Sequence, residues 1–305
     1  MSASQQTTVS QVLVLACAPR SRALNEQVLR DCAKIVDRAA APTWLAEGIA
    51  AEIALPGLEA VDHAVLLAQI RERLAGASVD LAIVPARGRR KRLLLADMDS
   101  TMIEQECIDE LAARVGLRAE VSAITERAMR GEIAFEPALR ERVALLKGLP
   151  IAIVEEILSR ITLSAGARTL VRTMRQHGAH CCLVSGGFTV FTAPIAERLG
   201  FHEHRANRLG MRQDRLTGEV EEPILGRDAK RNSLIELRER LALPREAVIA
   251  VGDGANDLAM LAEAGWGVAY RAKPAVAAAA PFRIQHADLS ALLYFQGYRR
   301  DEFRE

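Results

Sequence analysis

Three short apolar segments, each ending in polar residues or glycine, constrain the fold of this chain more than any other feature. The segments are RLLLAD at 92–97, HCCLVS at 180–185 and AVIAVGD at 247–253. Helical segments lie between them, and short runs of this kind fit strands that are buried in a parallel sheet. The pattern therefore predicts an α/β open sheet. In such a sheet, ligands bind beyond the carboxyl ends of the strands.

Two longer segments predict additions to this sheet. The helical stretch at 104–178 is longer than one crossover helix requires, which predicts an inserted helical cap. The segment at 209–220 alternates around Gln213-Asp214 and predicts a hairpin.

The N-terminal part of the chain predicts a small α+β module. Apolar residues recur at helical spacing in two segments and form short strand-like runs in three others. Strands are predicted at 11–18, 50–56 and 79–85, and helices at 23–39 and from Asp62 to about Leu74.

The composition is that of a soluble globular protein with about two domains. The chain has 305 residues, 50% hydrophobic and 26% charged, and its net charge of +1 indicates no general nucleic-acid or membrane-surface partner. Its five cysteines lack a C-x-x-C pairing, so we expect reduced, mostly buried thiols.

No apolar run approaches the ~20 residues that span a bilayer. No basic residue precedes the apolar piece Val12 to Ala18, which predicts a first strand and a cytoplasmic protein.

A basic segment, ARGRRKR at 86–92, precedes the first strand of the predicted parallel sheet. Five of its seven residues are basic. One interpretation is a patch for nucleic acid or an acidic partner. The balanced net charge favours a solvated linker.

Polar residues follow each of the three predicted sheet strands. If the strands are neighbours, four aspartates and a serine meet at one edge of the sheet. Carboxylate oxygens suit Mg²⁺, which offsets their mutual repulsion. A helix starting after the third strand would present its two aspartates, four residues apart, on one face. The residues are Asp97 and Asp99 after the first strand, Ser185 and Gly186 after the second, and Asp253, Asn256 and Asp257 after the third.

These groups suit the chemistry of a phosphate ester. An ionised carboxylate can attack phosphorus, and its neighbour can protonate the departing alkoxide and then deprotonate water. Ser185 and the N–H groups near Gly186 can hold phosphate oxygens, and Lys230 can neutralise remaining charge. Each element alone is weak, since D-x-D can be a capped turn, S-G-G a loop and Lys230 a surface lysine. The ordered set is far more specific.

The ordered set resembles the haloacid dehalogenase superfamily and, within it, the phosphoserine phosphatases. The matching segments include DMDSTMIEQECIDELA, FEPALRERVALLKGLP, LVSGGFTVF and VGDGANDLAML, and the resemblance covers about 92–290. It implies a Rossmannoid parallel-sheet core at 92–102 and about 168–305. A helical cap at about 103–167 would be inserted after the first core strand.

The resemblance implies a Mg²⁺-dependent phosphatase that hydrolyses O-phospho-L-serine to L-serine, the last step of L-serine biosynthesis. Asp97 would be the nucleophile, which forms a phospho-aspartate, and Asp99 the general acid and base. Mg²⁺ would be held by Asp97, the backbone carbonyl of Asp99, and Asp253, with Asp257 supporting nearby.

The resemblance also implies the substrate contacts. In the cap, Glu106 would accept the substrate ammonium and Arg142 would pair with its carboxylate. This fits because phosphoserine carries both charges. Without the resemblance, both residues would be interpreted as surface helix charges. The other implied contacts are Met129 and Phe135 as an apolar lid, and Ser185, Gly186, Lys230 and Asn256 at the phosphate.

Other candidate ligands and nucleophiles are assigned no catalytic role. His177, His180, His202 and His204 are interpreted as surface or structural residues, because the oxygen-rich site suits a metal better. Cys107 lies near the first motif, but a carboxylate nucleophile leaves it no needed role.

Related enzymes often carry an amino-acid-binding ACT domain before the catalytic domain. The resemblance therefore implies an ACT-like module at 1–86 and a phosphatase domain at 87–305. Serine binding by the module is a hypothesis, and a homodimer formed through it is equally plausible. The segment ACAPRSRALN lacks a glycine where the backbone would approach a ligand.

Three alternative functions stay open. A phosphotransferase could pass the aspartyl phosphate to an alcohol such as homoserine, because water and an alcohol attack the same intermediate. The intact aspartate, serine and lysine set argues against a sensor with an inactive phosphatase fold, and the metal aspartates argue against a halide-removing enzyme. The expected partner is a small-molecule substrate, with no nucleic acid and no membrane.

Overall fold

The computed structural model describes residues 9–36, 41–57, 63–129, 132–226 and 228–305. The chain forms two compact units. The first unit comprises Met1–Lys91, Ala165–His177 and Phe282–Glu305, and the second comprises Arg92–Ser164 and Gly178–Pro281.

Strands and helices alternate along most of the chain. The strands are β1 (Val9–Cys17), β2 (Thr43–Ala46), β3 (Ala50–Pro56), β4 (Val79–Pro85), β5 (Leu93–Ala96), β6 (His180–Phe188), β7 (Glu203–Arg212), β8 (Arg215–Glu221), β9 (Val248–Gly252), β10 (Trp266–Tyr270) and β11 (Phe282–Ile284). The helices are α1 (Glu26–Ile35), α2 (His63–Arg73), α3 (Cys107–Arg114), α4 (Arg118–Met129), α5 (Phe135–Ala144), α6 (Ala152–Arg160), α7 (Ala167–Gln176), α8 (Thr189–Leu199), α9 (Ala229–Arg240), α10 (Leu258–Glu263), α11 (Pro274–Ala279) and α12 (Ala291–Phe295). Within the described ranges, none of these helices is long and apolar enough to cross a membrane.

The first unit contains an antiparallel sheet with the strand order β2-β3-β1-β4. The central strand is β1, where Val14 pairs with Glu52 of β3 and with Ala82 of β4. Leu13 and Leu15 point to the same face because side chains alternate along a strand. Both are fully buried in an apolar core that also includes residues of α1 and α2.

The predicted elements of the first unit form, with shifted boundaries. The helix predicted at 23–39 begins only at Glu26, because the Asn25 side chain accepts a hydrogen bond from the Val28 N–H at 3.0 Å and caps it. Strand β2 is not predicted by the sequence, since its four residues are too few to show an alternating pattern. The predicted start of α2, Asp62, lies outside the described residues.

The second unit is built on parallel strands in the order β10-β9-β5-β6-β7. Leu94 of β5 pairs with Cys181 of β6 on one side and with Ile249 of β9 on the other. The three strands predicted from their apolar runs are therefore direct neighbours, which confirms the predicted α/β parallel sheet. Five helices, α3 to α7, lie between β5 and β6 in the chain. Helices α3 to α6 belong to the second unit, and α7 belongs to the first.

The predicted hairpin is confirmed in strands β7 and β8, which are antiparallel. Its turn residues Gln213 and Asp214 have φ of 50° and 58°. These values lie in the left-handed region that the central residues of a two-residue type I′ turn occupy.

The interpretation of 86–92 as a solvated linker is wrong for part of the segment. Arg89 is buried and forms an ion pair with Glu52, and the Arg90 guanidinium lies 2.6 Å from Glu302 and 4.0 Å from the centre of the Tyr298 ring. These contacts all lie within the first unit. The arginines are held by acidic partners of the same chain, which the net charge alone does not indicate.

The cysteines are buried thiols, as predicted. All five are free of disulfides. Burial raises the pKa of Cys32 to about 11 and that of Cys182 to about 12. Such thiols stay protonated at neutral pH and are poor nucleophiles.

Candidate active site

Asp97 follows β5 directly, at the carboxyl end of the parallel strands. Its backbone N–H still donates to the Val251 carbonyl of β9, at 2.9 Å, so the residue is fixed by the sheet. The chain then enters a short irregular turn over Met98–Met102, in which Ser100 has a φ of 53°. A non-glycine residue in this region is strained, and such strain is concentrated at functional sites.

Lys230, at the start of α9, lies between two buried carboxylates. Its Nζ atom is 2.7 Å from Oδ1 of Asp97 and 2.6 Å from Oδ1 of Asp257. Burial and the charge of Asp257 raise the pKa of Asp97, and the Lys230 ammonium opposes that rise. Burial disfavours the charge of Lys230, but Asp257 and Asp97 outweigh it and raise the pKa of the ammonium above its ordinary value. Lys230 therefore stays protonated and supports ionised carboxylates.

Asp253 and Asp257 meet through a turn, not through one helix face as the sequence predicts. Asp253 precedes the helical residues, and the Asp257 carboxylate accepts the N–H groups of Asp253 at 3.2 Å and Gly254 at 3.0 Å. A Cβ on Gly252 would lie 2.3 Å from Asp257 Cγ, so only glycine fits there. Burial and Asp257 raise the pKa of Asp253 to about 6.

The side chains of Asp97, Asp253 and Asp257, named here the aspartate cluster, could hold a metal ion. One carboxylate oxygen from each lies within 4.8 Å of the others. A cluster of carboxylate oxygens fits a hard divalent cation such as Mg²⁺. The Lys230 ammonium neutralises only one of the three carboxylate charges of the cluster. A bound cation would therefore also stabilise the cluster electrostatically. The carboxylate of Asp99 is not part of this cluster.

The Asp99 carboxylate lies between the first and second strand ends. Oδ1 accepts the Cys107 N–H at 2.9 Å, and Oδ2 accepts the Ser185 hydroxyl at 3.2 Å. The Ser185 Oγ atom in turn accepts the Gly187 N–H at 2.9 Å. Burial raises the pKa of Asp99 despite the hydrogen bond from Cys107. A raised pKa suits a carboxyl group that carries a proton during a reaction.

Two further positioning residues, Thr101 and Asn207, are given no role by the sequence patterns. The Thr101 hydroxyl donates to Asp253 Oδ1 at 3.0 Å. Asn207 is 1% exposed, donates to the Gly186 carbonyl at 3.0 Å and accepts the Leu225 N–H at 2.7 Å. The sequence carries no distinct signal for Asn207, because Glu203, His204, Arg205 and Arg208 of the same strand are polar as well.

A small pocket adjoins this edge of the sheet. Phe135, Gly186 and Asn256 line it together with Ser185 and Lys230. A Cβ on Gly186 would lie 3.6 Å from the Phe135 ring, so the ring covers this glycine closely. The pocket brings together residues from α5 and two of the predicted strand ends.

The four predicted cap residues have different surroundings. Glu106 accepts the Ser100 hydroxyl at 2.6 Å, and burial together with Asp99 raises its pKa to about 7. Arg142 donates to the Ala138 carbonyl and the Thr125 hydroxyl at 3.2 and 3.3 Å, and within the described ranges it makes no ion pair with the aspartate cluster. Phe135 lines the pocket described above, and the side chain of Met129 lies outside the described part of the chain.

Comparison with known protein families identifies the fold of the second unit. Residues 94–262 match the family of haloacid dehalogenase-like hydrolases. The chain belongs to this family. The matched residues run from β5 to α10 and include the aspartate cluster, Ser185 and Lys230.

Curated relatives of the chain are phosphoserine phosphatases. The enzyme of Archaeoglobus fulgidus is 45% identical over 212 residues, which are 68% of this chain and 62% of that protein. The enzyme of Polaromonas sp. is 46% identical over 208 residues, which are 66% of this chain and 88% of that protein. The chain thus spans less than two thirds of the Archaeoglobus relative and most of the Polaromonas one.

Two solved structures resemble this chain, one along nearly its whole length and one along about two thirds of it. A haloacid dehalogenase family hydrolase from Salmonella enterica aligns with a TM-score of 0.82 at 28% identity, over 97% of this chain and 100% of that one. A substrate-bound phosphoserine phosphatase complex aligns with a TM-score of 0.63 at 40% identity, over 68% of this chain and 98% of that one.

Proposed function

We propose that this protein is a Mg²⁺-dependent phosphatase that hydrolyses O-phospho-L-serine through a phospho-aspartate intermediate. The observation that carries the proposal is the convergence of Asp97, Asp99, Ser185 and Lys230 with the aspartate cluster at one sheet edge. Relatives that are phosphoserine phosphatases support the choice of substrate.

In the first step, the Asp97 carboxylate attacks phosphorus and the bond to the serine oxygen breaks. The Lys230 ammonium, 2.7 Å from Oδ1, favours the ionised form of Asp97 that attacks. Asp99, whose pKa burial raises, donates its proton to the departing alkoxide. Ser185 and Lys230, which line the same pocket, hold the phosphate oxygens.

In the second step, water cleaves the acyl phosphate on Asp97. Asp99, now ionised, takes a proton from that water and so returns to its starting state. Asp97 is released as a carboxylate together with inorganic phosphate. Asp97, Asp253 and Asp257 would hold Mg²⁺, with the Asp99 backbone carbonyl as a further ligand. A carboxylate nucleophile and a phosphate dianion repel each other because both are negative. When bound, the ion would reduce this repulsion.

Recognition of the serine part is assigned to helices α3 to α6, which we propose form the cap. Glu106 would bind the ammonium and Arg142 the carboxylate, with Met129 and Phe135 as the apolar lid. Among the described residues, the partly buried Arg142 has a carbonyl and a hydroxyl as hydrogen-bond acceptors and no ion pair, so its charge is available for an anionic ligand. In the pocket, Phe135 lies beside Gly186 and shares the lining with Ser185 and Lys230, which would bind the phosphate.

The test is inorganic phosphate release from O-phospho-L-serine, with Mg²⁺ and with a chelator, and without any acceptor alcohol. We expect release that requires Mg²⁺ and exceeds release from O-phospho-L-threonine and phosphoethanolamine. Phosphoethanolamine keeps the ammonium but lacks the carboxylate, so it isolates the contribution of Arg142. Equal release from all three esters would remove the substrate assignment. Release only after an alcohol is added would indicate a phosphotransferase.

A further inference from the structure

The first unit contains a cavity of about 210 Å³, named here the arginine cavity. It is bounded by the end of α2, the turn at 74–77, the start of β4, and the segment at 283–286. All of these residues belong to the first unit. The volume is enough for several waters or for one small organic molecule.

Two arginines that form no ion pair with any described residue line this cavity. Arg71 and Arg283 both contribute to the wall, and within the described ranges neither side chain has a hydrogen bond or an ion pair. Partial removal from water and the charge of Arg283 lower the pKa of Arg71, and the charge of Asp80 opposes this. By contrast, Arg73 at the end of the same helix lies 2.6 Å from Asp31.

The acidic residue in the wall, Asp80, is engaged elsewhere. Its carboxylate accepts the backbone N–H groups of Gln285, His286 and Ala287 at 2.9, 2.9 and 2.7 Å. These bonds fix the segment after β11 against β4, and they leave Asp80 to offset one of the two arginine charges at longer range. His286 adds a further nitrogen to the wall. The cavity therefore keeps a net positive charge.

We propose that the arginine cavity binds a small organic oxyanion, a carboxylate or a phosphate, between Arg71 and Arg283. Two guanidinium groups present paired donors that match the oxygens of either anion. Leu74, Val79 and Leu81 give the same wall an apolar part, which fits a ligand with a short aliphatic portion. A bound anion would offset the electrostatic repulsion between the two guanidinium groups.

The experiment is calorimetric titration of the full-length protein with sulfate and, separately, with malonate. The variant is Arg71→Ser with Arg283→Ser. The control is Arg20→Ser with Arg87→Ser, which removes two exposed charges from the same unit outside the cavity. All three proteins keep the phosphate-binding residues of the second unit, so any anion binding there is the same in each. A difference between their isotherms therefore measures anion binding in the arginine cavity.

We expect wild type and control to bind one anion that the cavity variant binds at least tenfold more weakly. Tighter binding of sulfate would assign the phosphate class, and tighter binding of malonate the carboxylate class. The bound anion should raise the thermal midpoint of wild type and control more than that of the cavity variant. Identical isotherms in wild type and cavity variant, or no binding of either probe, would overturn the proposal. The midpoint in anion-free buffer shows whether the variant is folded.

Discussion

In the second unit, two carboxylates share one cation: the Lys230 ammonium lies 2.7 Å from Asp97 and 2.6 Å from Asp257. In the first unit, by contrast, Arg71 and Arg283 line one cavity and form no ion pair among the described residues. The difference follows burial. Asp257 is fully buried and cannot be screened by water, so a cation of the chain must pair with it. Arg71 is exposed, and water screens the repulsion until a ligand arrives.

The largest expected effect comes from Asp97→Asn. The variant loses the nucleophile, so turnover of O-phospho-L-serine should fall on the order of 10⁴-fold or more. The fold should persist, because a neutral amide removes one of the buried negative charges. Phosphate release measures the first effect and circular dichroism the second. The control is Asp214→Asn in the exposed hairpin turn, which should keep full activity. Substantial activity in the first variant would exclude the proposed nucleophile.

Asp99→Asn tests the acid and base. Loss of proton transfer should slow hydrolysis of O-phospho-L-serine by roughly 10²–10⁴-fold. The loss should be smaller for p-nitrophenyl phosphate, because nitrophenolate leaves without a proton. Steady-state rates for both esters give the comparison. Equal losses would assign Asp99 a role other than proton transfer.

Lys230→Met tests the internal pairing of charge. The variant leaves Asp97 and Asp257 buried without their cation, which should cost about 3–5 kcal/mol of unfolding free energy at pH 7 in chelator. Without the opposing ammonium, burial and Asp257 raise the folded-state pKa of Asp97 further. The penalty is therefore present above the unfolded pKa of Asp97 and disappears as falling pH protonates this carboxylate. Urea denaturation at pH 7 and pH 5 measures both. The control is Lys147→Met at an exposed position. A loss that is the same at both pH values would contradict the pairing.

The pH dependence of KM tests Glu106. Burial and Asp99 raise the pKa of Glu106 to about 7, so the carboxyl is neutral below that pH and loses its attraction for the substrate ammonium. KM should rise by up to about tenfold for each pH unit below this pKa. Glu106→Gln should have a high KM whose pH profile is flat in this range, apart from titration of the phosphate group itself. The same profile in both proteins would remove Glu106 from ammonium recognition.

The smallest effect is expected for Arg71→Ser in anion-free buffer. Its unfolding free energy should stay within about 0.5 kcal/mol of wild type, because the side chain is exposed and makes no ion pair among the described residues. Denaturant unfolding measures it. A loss of several kcal/mol would mean that Arg71 is structural, and the contrast with Lys230 would then disappear.

The strands that carry the chemistry are predictable because their signal is local. The apolar runs before Asp97, Ser185 and Asp253 each report burial on both faces of a sheet, and the structure makes these strands neighbours. The chemical types of the site residues follow from the motifs. Strand β2 escapes prediction because four residues carry too little pattern. The role of Asn207 escapes prediction because several other polar residues lie in the same strand.

The sequence by itself determined the α/β class, the residues at the strand ends and the motifs that resemble the family. Only the tertiary structure decided which charges pair. Lys230 lies between Asp97 and Asp257, and the Asp99 carboxylate accepts the Ser185 hydroxyl. The Asp80 carboxylate accepts backbone N–H groups and forms no ion pair with Arg71 or Arg283. The physical reason is range. Strand and helix patterns arise between near neighbours in the chain, whereas pairing and burial of charge depend on residues up to 212 positions apart.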